Sequence, residues 1–430
     1  MGWSSEYGEK GLAKNAFRIA AITGVLAAPS AILLVPGLGS IYLALCVFPG
    51  VVIAVQQRRS LKALWQDNGA VRWVGVLLLT YLLVSAGNFV LVDPSDFAFS
   101  RLQRQLILLA IPPVFVLLWW ARPTILAVHA GIALNAVAFG AYAIASYMQD
   151  GQRVQAVTNW VLFGNSGLLL GFSALGLLFL RPSWPWRTLG LAGLALGVAA
   201  SLLSWTRGGW LAIPLLVAMS LFALHKVYRP SRWLWVGIGV AATMSLVLFL
   251  NTGIVQDRIA QGERDVQLMT DGNFQTSLGL RMLMWKIALD TGLDAPLVGQ
   301  GFSGYQRNVD GLLAKEDVPP IMALFRTEPH SDYLYLFASR GLLGLIAYGA
   351  LLIIPFAYLL VAMTRGDART VGTAYVGLTL IIVLAVSGLT ITIIDQRAMI
   401  RFISVMSAIA LYAVWETQRA SPQRNSRRQT

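Results

Sequence analysis

Apolar stretches of bilayer length recur along this chain, and they constrain its fold more than any other feature. A backbone amide or carbonyl in hydrocarbon has no water to bond, so such a stretch must satisfy its own hydrogen bonds as an α-helix. About 20 residues cross a bilayer core. Twelve spans are predicted in the 430 residues, over 16–34, 38–55, 73–92, 104–121, 124–147, 158–180, 187–204, 208–226, 232–251, 331–362, 371–394 and 397–417. With 57% hydrophobic and 12% charged residues and a mean hydropathy of +0.65, a water-soluble globule is excluded. The expected fold is an all-α polytopic membrane protein with about 12 transmembrane helices. Helices 1–9 occupy residues 1–251, a large loop with short helices 252–330, helices 10–12 residues 331–417, and a basic tail 418–430. The first apolar run reads as a retained helix: it has no small-residue cleavage site, and a second run follows directly after VPGLGS.

Lysine and arginine set the expected orientation. Of 33 in all, 19 fall on the side of the N-terminus, and seven of the other 14 lie in the long loop, which the positive-inside rule discounts. Both termini are therefore expected to be cytoplasmic and the loop external. The net charge of +13 then reflects topology determinants and contacts with anionic lipid. Nucleic acid is not an expected partner, because the basic residues are scattered over short turns and a ragged tail. Cys46 is the single cysteine, and no Cys/His cluster has metal-ligand spacing. No metal and no cofactor is expected.

Against the positive-inside bias, the short external turns carry Arg101, Arg104, Arg153, Arg207, Arg397 and Arg401, with Arg340 about ten residues into the tenth span. The planar fork of arginine suits phosphate, and several such groups at one interface would hold a lipid diphosphate. The alternative is pairing with Asp93, Asp96, Asp150, Asp332 or Asp395, or snorkelling to headgroups. Arg207 sits in a short turn, SLLSWTRGGWLAIP, before Gly208 and Gly209, where a starting helix offers free amides to an anion. The competing reading of this turn is a helical hairpin with an interfacial Trp205/Trp210 belt.

The long loop holds ten of the 20 acidic residues. Within it, LGLRMLMWKIALD places Leu280, Leu283, Met284, Ile287 and Ala288 on one helical face, predicting an amphipathic helix on the membrane surface that begins near Arg281. APLVGQGFSGY follows, with a tight turn at Gly299, Gly301 and Gly304. An irregular lid, DVPPIMALFRTEPH, then leads to His330 at the water boundary of the tenth span, with Tyr333 one turn further in. An ionisable group there is a site candidate. Elsewhere, Gly190, Gly193 and Gly197 form a small-residue packing face.

SWTRGGW, then LGLRMLMW with PLVGQGFSGY, then PHSDYLYLFASRGLLG, in this order around one large external loop, resembles the O-antigen ligase and polymerase superfamily of bacterial envelopes. The motifs cover about 200–344, and the helix count extends the similarity to the whole chain. The resemblance implies transfer of a glycan from undecaprenyl diphosphate to an acceptor at the periplasmic face of the inner membrane. For a ligase that acceptor is lipid A-core; for a polymerase it is a lipid-linked repeat unit. The single dominant loop favours the ligase. The family's important residues fall on Arg207, Arg281 and His330. The two arginines would stabilise the departing diphosphate, and His330 would act as base, phosphate contact or helix cap. A lipid or oligosaccharide transporter is the reading from a different class, but no internal repeat with paired broken helices is apparent.

Overall fold

The computed structural model describes residues 3–206, 208–229, 231 and 276–420, with side chains from residue 14 onward except that of Ser277. The ninth predicted span, Arg207, the first part of the long loop and most of the basic tail lie outside the described residues. Eleven described helices are long and apolar enough to cross a membrane, and each falls on a predicted span. No strand occurs among the described residues. The chain is an all-α polytopic membrane protein.

Helix α1 (Trp3–Leu34) and α2 (Leu38–Gln56) form the first hairpin. A short amphipathic helix, α3 (Arg58–Asp67), precedes α4 (Gly69–Leu91). The next span is α5 (Asp96–Leu106) and α6 (Ile111–Ala121), joined by a 3-10 turn where Pro112 and Pro113 open α6. Proline fits a first helical turn because the amides there have no intrahelical acceptor.

Helix α7 (Ile125–Asp150), α8 (Trp160–Ala174) with its continuation α9 (Gly176–Phe179), and α10 (Trp184–Leu203) pack closely. The expected glycine face carries this packing: a Cβ on Gly197 would stand 2.5 Å from the Gly171 Cα and 2.6 Å from the Gly167 carbonyl. Without side chains, the backbones of α8 and α10 approach to van der Waals contact. Helix α11 (Ile213–Tyr228) completes the first half.

After the undescribed segment come α12 (Ser277–Asp294), α13 (Gly304–Ala314) and a 3-10 turn, Pro320–Phe325. These enclose a small core of their own, in which Leu280, Met284, Ile287 and Ala288 meet Tyr305, Val309, Met322 and Ala338. The amphipathic face of α12 therefore packs on protein rather than lying on the membrane. Its spacing was legible in sequence, but spacing alone does not distinguish lipid from a neighbouring helix as the apolar partner.

Helix α14 (Asp332–Arg365), α15 (Ala368–Ser387) and α16 (Arg397–Arg419) close the bundle. The sequence predicts one continuous tenth span. Instead α14 is broken at Gly341, at φ 60° and ψ −156°, a region essentially restricted to glycine. The loop after α12 inserts at the break. Gln300 and Gly301 amides donate to the Ala338 and Ser339 carbonyls (both 2.9 Å), and the Leu342 and Leu343 amides donate to Pro296 and Leu297 (2.8 and 3.1 Å). Backbone groups released by the break thus find partners inside protein, the condition for non-helical backbone at membrane depth.

Candidate functional site at the loop face

The turn 92–95, the connector 388–396 and the loop before α14 meet on one face of the bundle. The connector organises it. Asp332, fully buried in the first turn of α14, accepts hydrogen bonds from the Ile393 and Ile394 amides (2.7 and 3.1 Å), while its own amide donates to the Gly388 carbonyl at 2.8 Å. Asp395, also fully buried, pairs with both Arg101 and Arg104. Gln396 reaches Glu328 with long amide contacts of 3.3 and 3.4 Å.

His330 stands at the entrance to α14 with left-handed backbone, φ 52°. Ser331 caps the helix, its hydroxyl accepting from the Leu334 amide at 3.5 Å; capping is thus the role of the serine. The imidazole sits edge-to-face on Phe325, ring centres 5.6 Å apart. Its Nδ1 is sealed from solvent with no hydrogen bond among the described residues, and faces the Glu328 carboxylate at 3.6 Å. The side chain remains 28% exposed, which leaves Nε2 as the ring nitrogen open to a ligand.

The predicted arginines divide by partner. Arg101 is 5% exposed, pairs with Asp395 and lies over the Phe97 ring. Arg104 bonds the Asp395 carboxylate and carbonyl at 3.0 and 3.1 Å, yet its side chain is 24% exposed. Two guanidiniums against one carboxylate leave a positive excess, to which Arg397, exposed at the start of α16, adds. Arg104 lies within electrostatic range of Arg101, Arg397 and Glu328, so the arginines and the His330 loop share one neighbourhood. Arg401 is half-buried beside Gly39. Neither Arg397 nor Arg401 has an ion-pair partner among the described residues.

Arg340 is 1% exposed, just before the helix break. Its guanidinium donates to Tyr81 Oη, Ser85 Oγ and Gln105 Oε1 (3.0, 2.8 and 2.8 Å) and lies over the Phe302 ring at 4.7 Å. Nη2 has no partner among the described residues. Neutral oxygens and ring faces thus offset the cost of burying this charge without a carboxylate. Arg153 is exposed and held between Trp160 and Trp205 (5.6 and 5.3 Å). Arg281 is half-buried in the second turn of α12, with no hydrogen bond or ion pair among the described residues. The Tyr333 hydroxyl donates to the Ala385 carbonyl at 2.7 Å. Arg207 lies outside the described residues; of its flanks, Thr206 is buried and bonds the Trp160 carbonyl at 2.8 Å, and Gly208 abuts Thr390 of the connector.

Asp93 ties the loop to the turn after α4. It accepts from the Ser303 amide and hydroxyl (2.7 and 2.6 Å), with Arg307 at 3.7 Å. Burial alone would raise its carboxyl, but the bonds from Ser303 and Ser95 and the charge of Arg307 outweigh this and hold it below the usual range.

Two apolar cavities flank the inner half of α14. One, of about 570 Å³, runs between α11, α14 and α15 from Met363 to Tyr333, three residues from His330. The other, of about 430 Å³, lies on the opposite side of α14 and ends under Tyr81 and Tyr348, below the Arg340 network.

Fold and site together define an all-α membrane protein with a polar, arginine-rich face over apolar grooves. The sequence profile of the O-antigen ligase family matches residues 192–349. That segment holds α12, α13, the break in α14 and His330, and the match supports assigning the chain to this family. An uncharacterized protein of Haemophilus influenzae is 27% identical over 195 residues, 45% of this chain and 48% of the relative. The chain spans about half the length of the curated relative it matches.

Sequence reasoning missed Glu328 and Gln396. The E-P-H spacing was the available signal for Glu328, since the acid stands two residues before the histidine with a proline between them. Gln396 carried none.

Proposed function

We propose that this chain is a glycosyltransferase that moves an O-antigen glycan from undecaprenyl diphosphate to a sugar hydroxyl of lipid A-core. In this reading the loop face is periplasmic, the protein resides in a bacterial inner membrane, and both termini are cytoplasmic. The observation that carries the reading is that an accessible His330, inside the segment matched by the family, shares the loop face with an excess of arginine charge from outside that segment and with the mouth of an apolar groove that reaches Tyr333.

The donor already has a good leaving group, so the reaction needs charge neutralisation at the diphosphate and a base for the acceptor. The polyprenyl tail would occupy the groove along α14, with the diphosphate against the arginines that retain donors, Arg104 and Arg397, together with Arg281 and Arg207. Nε2 of His330 takes the proton from the acceptor hydroxyl as its oxygen attacks the anomeric carbon. The new C–O bond forms as the bond to the diphosphate oxygen breaks, inverting the anomeric carbon, and undecaprenyl diphosphate departs with its charge held by arginine. No metal takes part.

The test is reconstitution of the purified protein with undecaprenyl-diphosphate-linked O-antigen and lipid A-core, with and without EDTA. Glycosylated lipid A-core in both arms is expected. Elongated lipid-linked glycan with no lipid A-core product would assign the polymerase reaction instead. Translocation across vesicles without new covalent product would remove the transferase reading.

A further inference from the structure

We infer that Glu328 is the positioning residue of His330: its carboxylate holds the proton of the imidazole on Nδ1 and leaves Nε2 bare for the acceptor. This rests on the role given to His330 in the proposed function and adds to it the group that makes that role possible. A neutral imidazole has one protonated and one bare nitrogen, and the partner of one nitrogen decides the state of the other.

His330 Nδ1 is a buried polar atom with no hydrogen bond among the described residues, and such atoms normally have a partner. The Glu328 Oε1 atom, 3.6 Å away, is the acidic oxygen it faces. That distance is too long for a hydrogen bond, but a small rotation of either side chain closes it, and catalytic contacts commonly tighten only when substrate binds. The rest of the surroundings hold the ring near that position. Phe325 packs edge-to-face with it, and the left-handed backbone at residue 330 between buried Pro329 and the cap Ser331 sets where the ring starts. Glu328 is itself largely covered, 16% exposed, and the Gln396 side-chain amide of the connector donates long contacts to both of its carboxylate oxygens.

A carboxylate in this place does two things. It selects the tautomer with Nε2 free, without which the ring has no base directed outward. It also stabilises the imidazolium formed when Nε2 takes the acceptor proton, charge that exists only after the transfer begins. Both raise the rate of the chemical step, and neither touches donor or acceptor, so Glu328 should act on kcat and leave KM for the lipid-linked donor alone.

The experiment uses the full chain in nanodiscs. Turnover is measured with undecaprenyl-diphosphate-linked O-antigen and lipid A-core for wild type, Glu328→Gln, His330→Gln and the double variant. Histidine tautomers are read by 15N NMR in wild type and Glu328→Ala, at a pH where the ring is neutral. The chain has three histidines, so the signal lost in His330→Gln identifies the ring.

Glu328→Gln should lower kcat by roughly ten- to a hundred-fold, with KM for the donor within about twofold of wild type, since orientation is one part of what a general base contributes. The double variant should be no slower than His330→Gln, because a positioning residue has nothing left to position. The wild-type ring should be protonated on Nδ1, and Glu328→Ala should shift that proton to Nε2. An inactive His330→Gln beside a fully active Glu328→Gln would overturn the inference and leave the proposed function standing. So would a wild-type His330 protonated on Nε2, or a double variant in which the two losses multiply. If His330→Gln keeps its activity, the base assignment fails, and the tautomer measurement, which needs no substrate, still decides whether Glu328 holds the ring.

Discussion

The helix trio α7, α8 and α10 and the broken helix α14 both sit in the bilayer, and they meet its demand for internal hydrogen bonding in opposite ways. The span Trp160–Phe179 keeps its backbone bonding within the segment, tightening to i−3 bonds only where α8 passes into α9 at Leu175, and is 89% buried over its most apolar stretch, whereas the span Asp332–Arg365 is 22% buried over its own and gives up its ladder at Gly341. In the first region small residues bring backbones together and leave no room for a ligand. In the second, loop carbonyls and amides replace the lost helical bonds, a buried arginine stands at the break, and apolar grooves run down both sides. Regular packing makes a scaffold, and irregular backbone whose groups find partners makes a place where polar side chains can be held beside apolar grooves.

This contrast predicts that substitutions in the two regions fail differently. The largest effect should come from Gly197→Leu. The atoms that a side chain would meet are backbone of α8 at 2.5 to 2.7 Å, which cannot rotate away as side chains do, so the cost should exceed about 3 kcal/mol. Size-exclusion profiles should show little or no monodisperse protein; a normal profile would break the scaffold side of the comparison.

Next is His330→Gln, which keeps size and polarity but removes the base. Transfer should fall about 10²- to 10⁴-fold, or roughly 3 to 5 kcal/mol in barrier, with an unchanged melting temperature. A parallel loss of stability would mean that the loop face is scaffold too.

Smaller again are Arg281→Ala and Arg104→Ala, each expected to slow transfer about ten- to a hundred-fold, the worth of a charge-assisted hydrogen bond. Lysine should rescue poorly because it lacks the two-pronged fork. Arg101→Lys offers the contrast: this side chain is buried on Asp395, so its substitution should lower stability before it lowers turnover.

The smallest effect concerns pH. The carboxyl of Asp93 is held below its usual range in the folded protein, so the folded state binds this proton less readily than the unfolded chain. Its contribution is then fully present above the ordinary carboxylate range near pH 4 and is lost as pH falls through the depressed folded value. Protection of residues 296–307 against hydrogen exchange, taken relative to the intrinsic rate at each pH, should fall only in that acidic window, and Asp93→Asn should lower it already at pH 7. Exchange in this loop that is indifferent to both changes would mean that Asp93 does not tether it.

What the sequence determined by itself is whatever depends on neighbours along the chain. The apolar runs fix helices because a segment in lipid must satisfy its own backbone, and eleven described spans fall where those runs predict them. Gly190, Gly193 and Gly197 declared a packing face, Gly299 and Gly301 a turn with positive φ, and His330 a polar group at a helix entrance. The tertiary structure alone decided which charges meet. Asp395 and Arg104 are 291 residues apart, and nothing local to either shows that they pair while Arg281 stays without a partner among the described residues. The same holds for the break in α14, which is tolerable only because residues 296–301 arrive to pair with it, and for Gln396, which reaches Glu328 across 68 residues. Helical bonding is completed within a segment, so sequence reports it. Charge neutralisation and the repair of broken backbone are completed between segments, so only the folded chain reveals them.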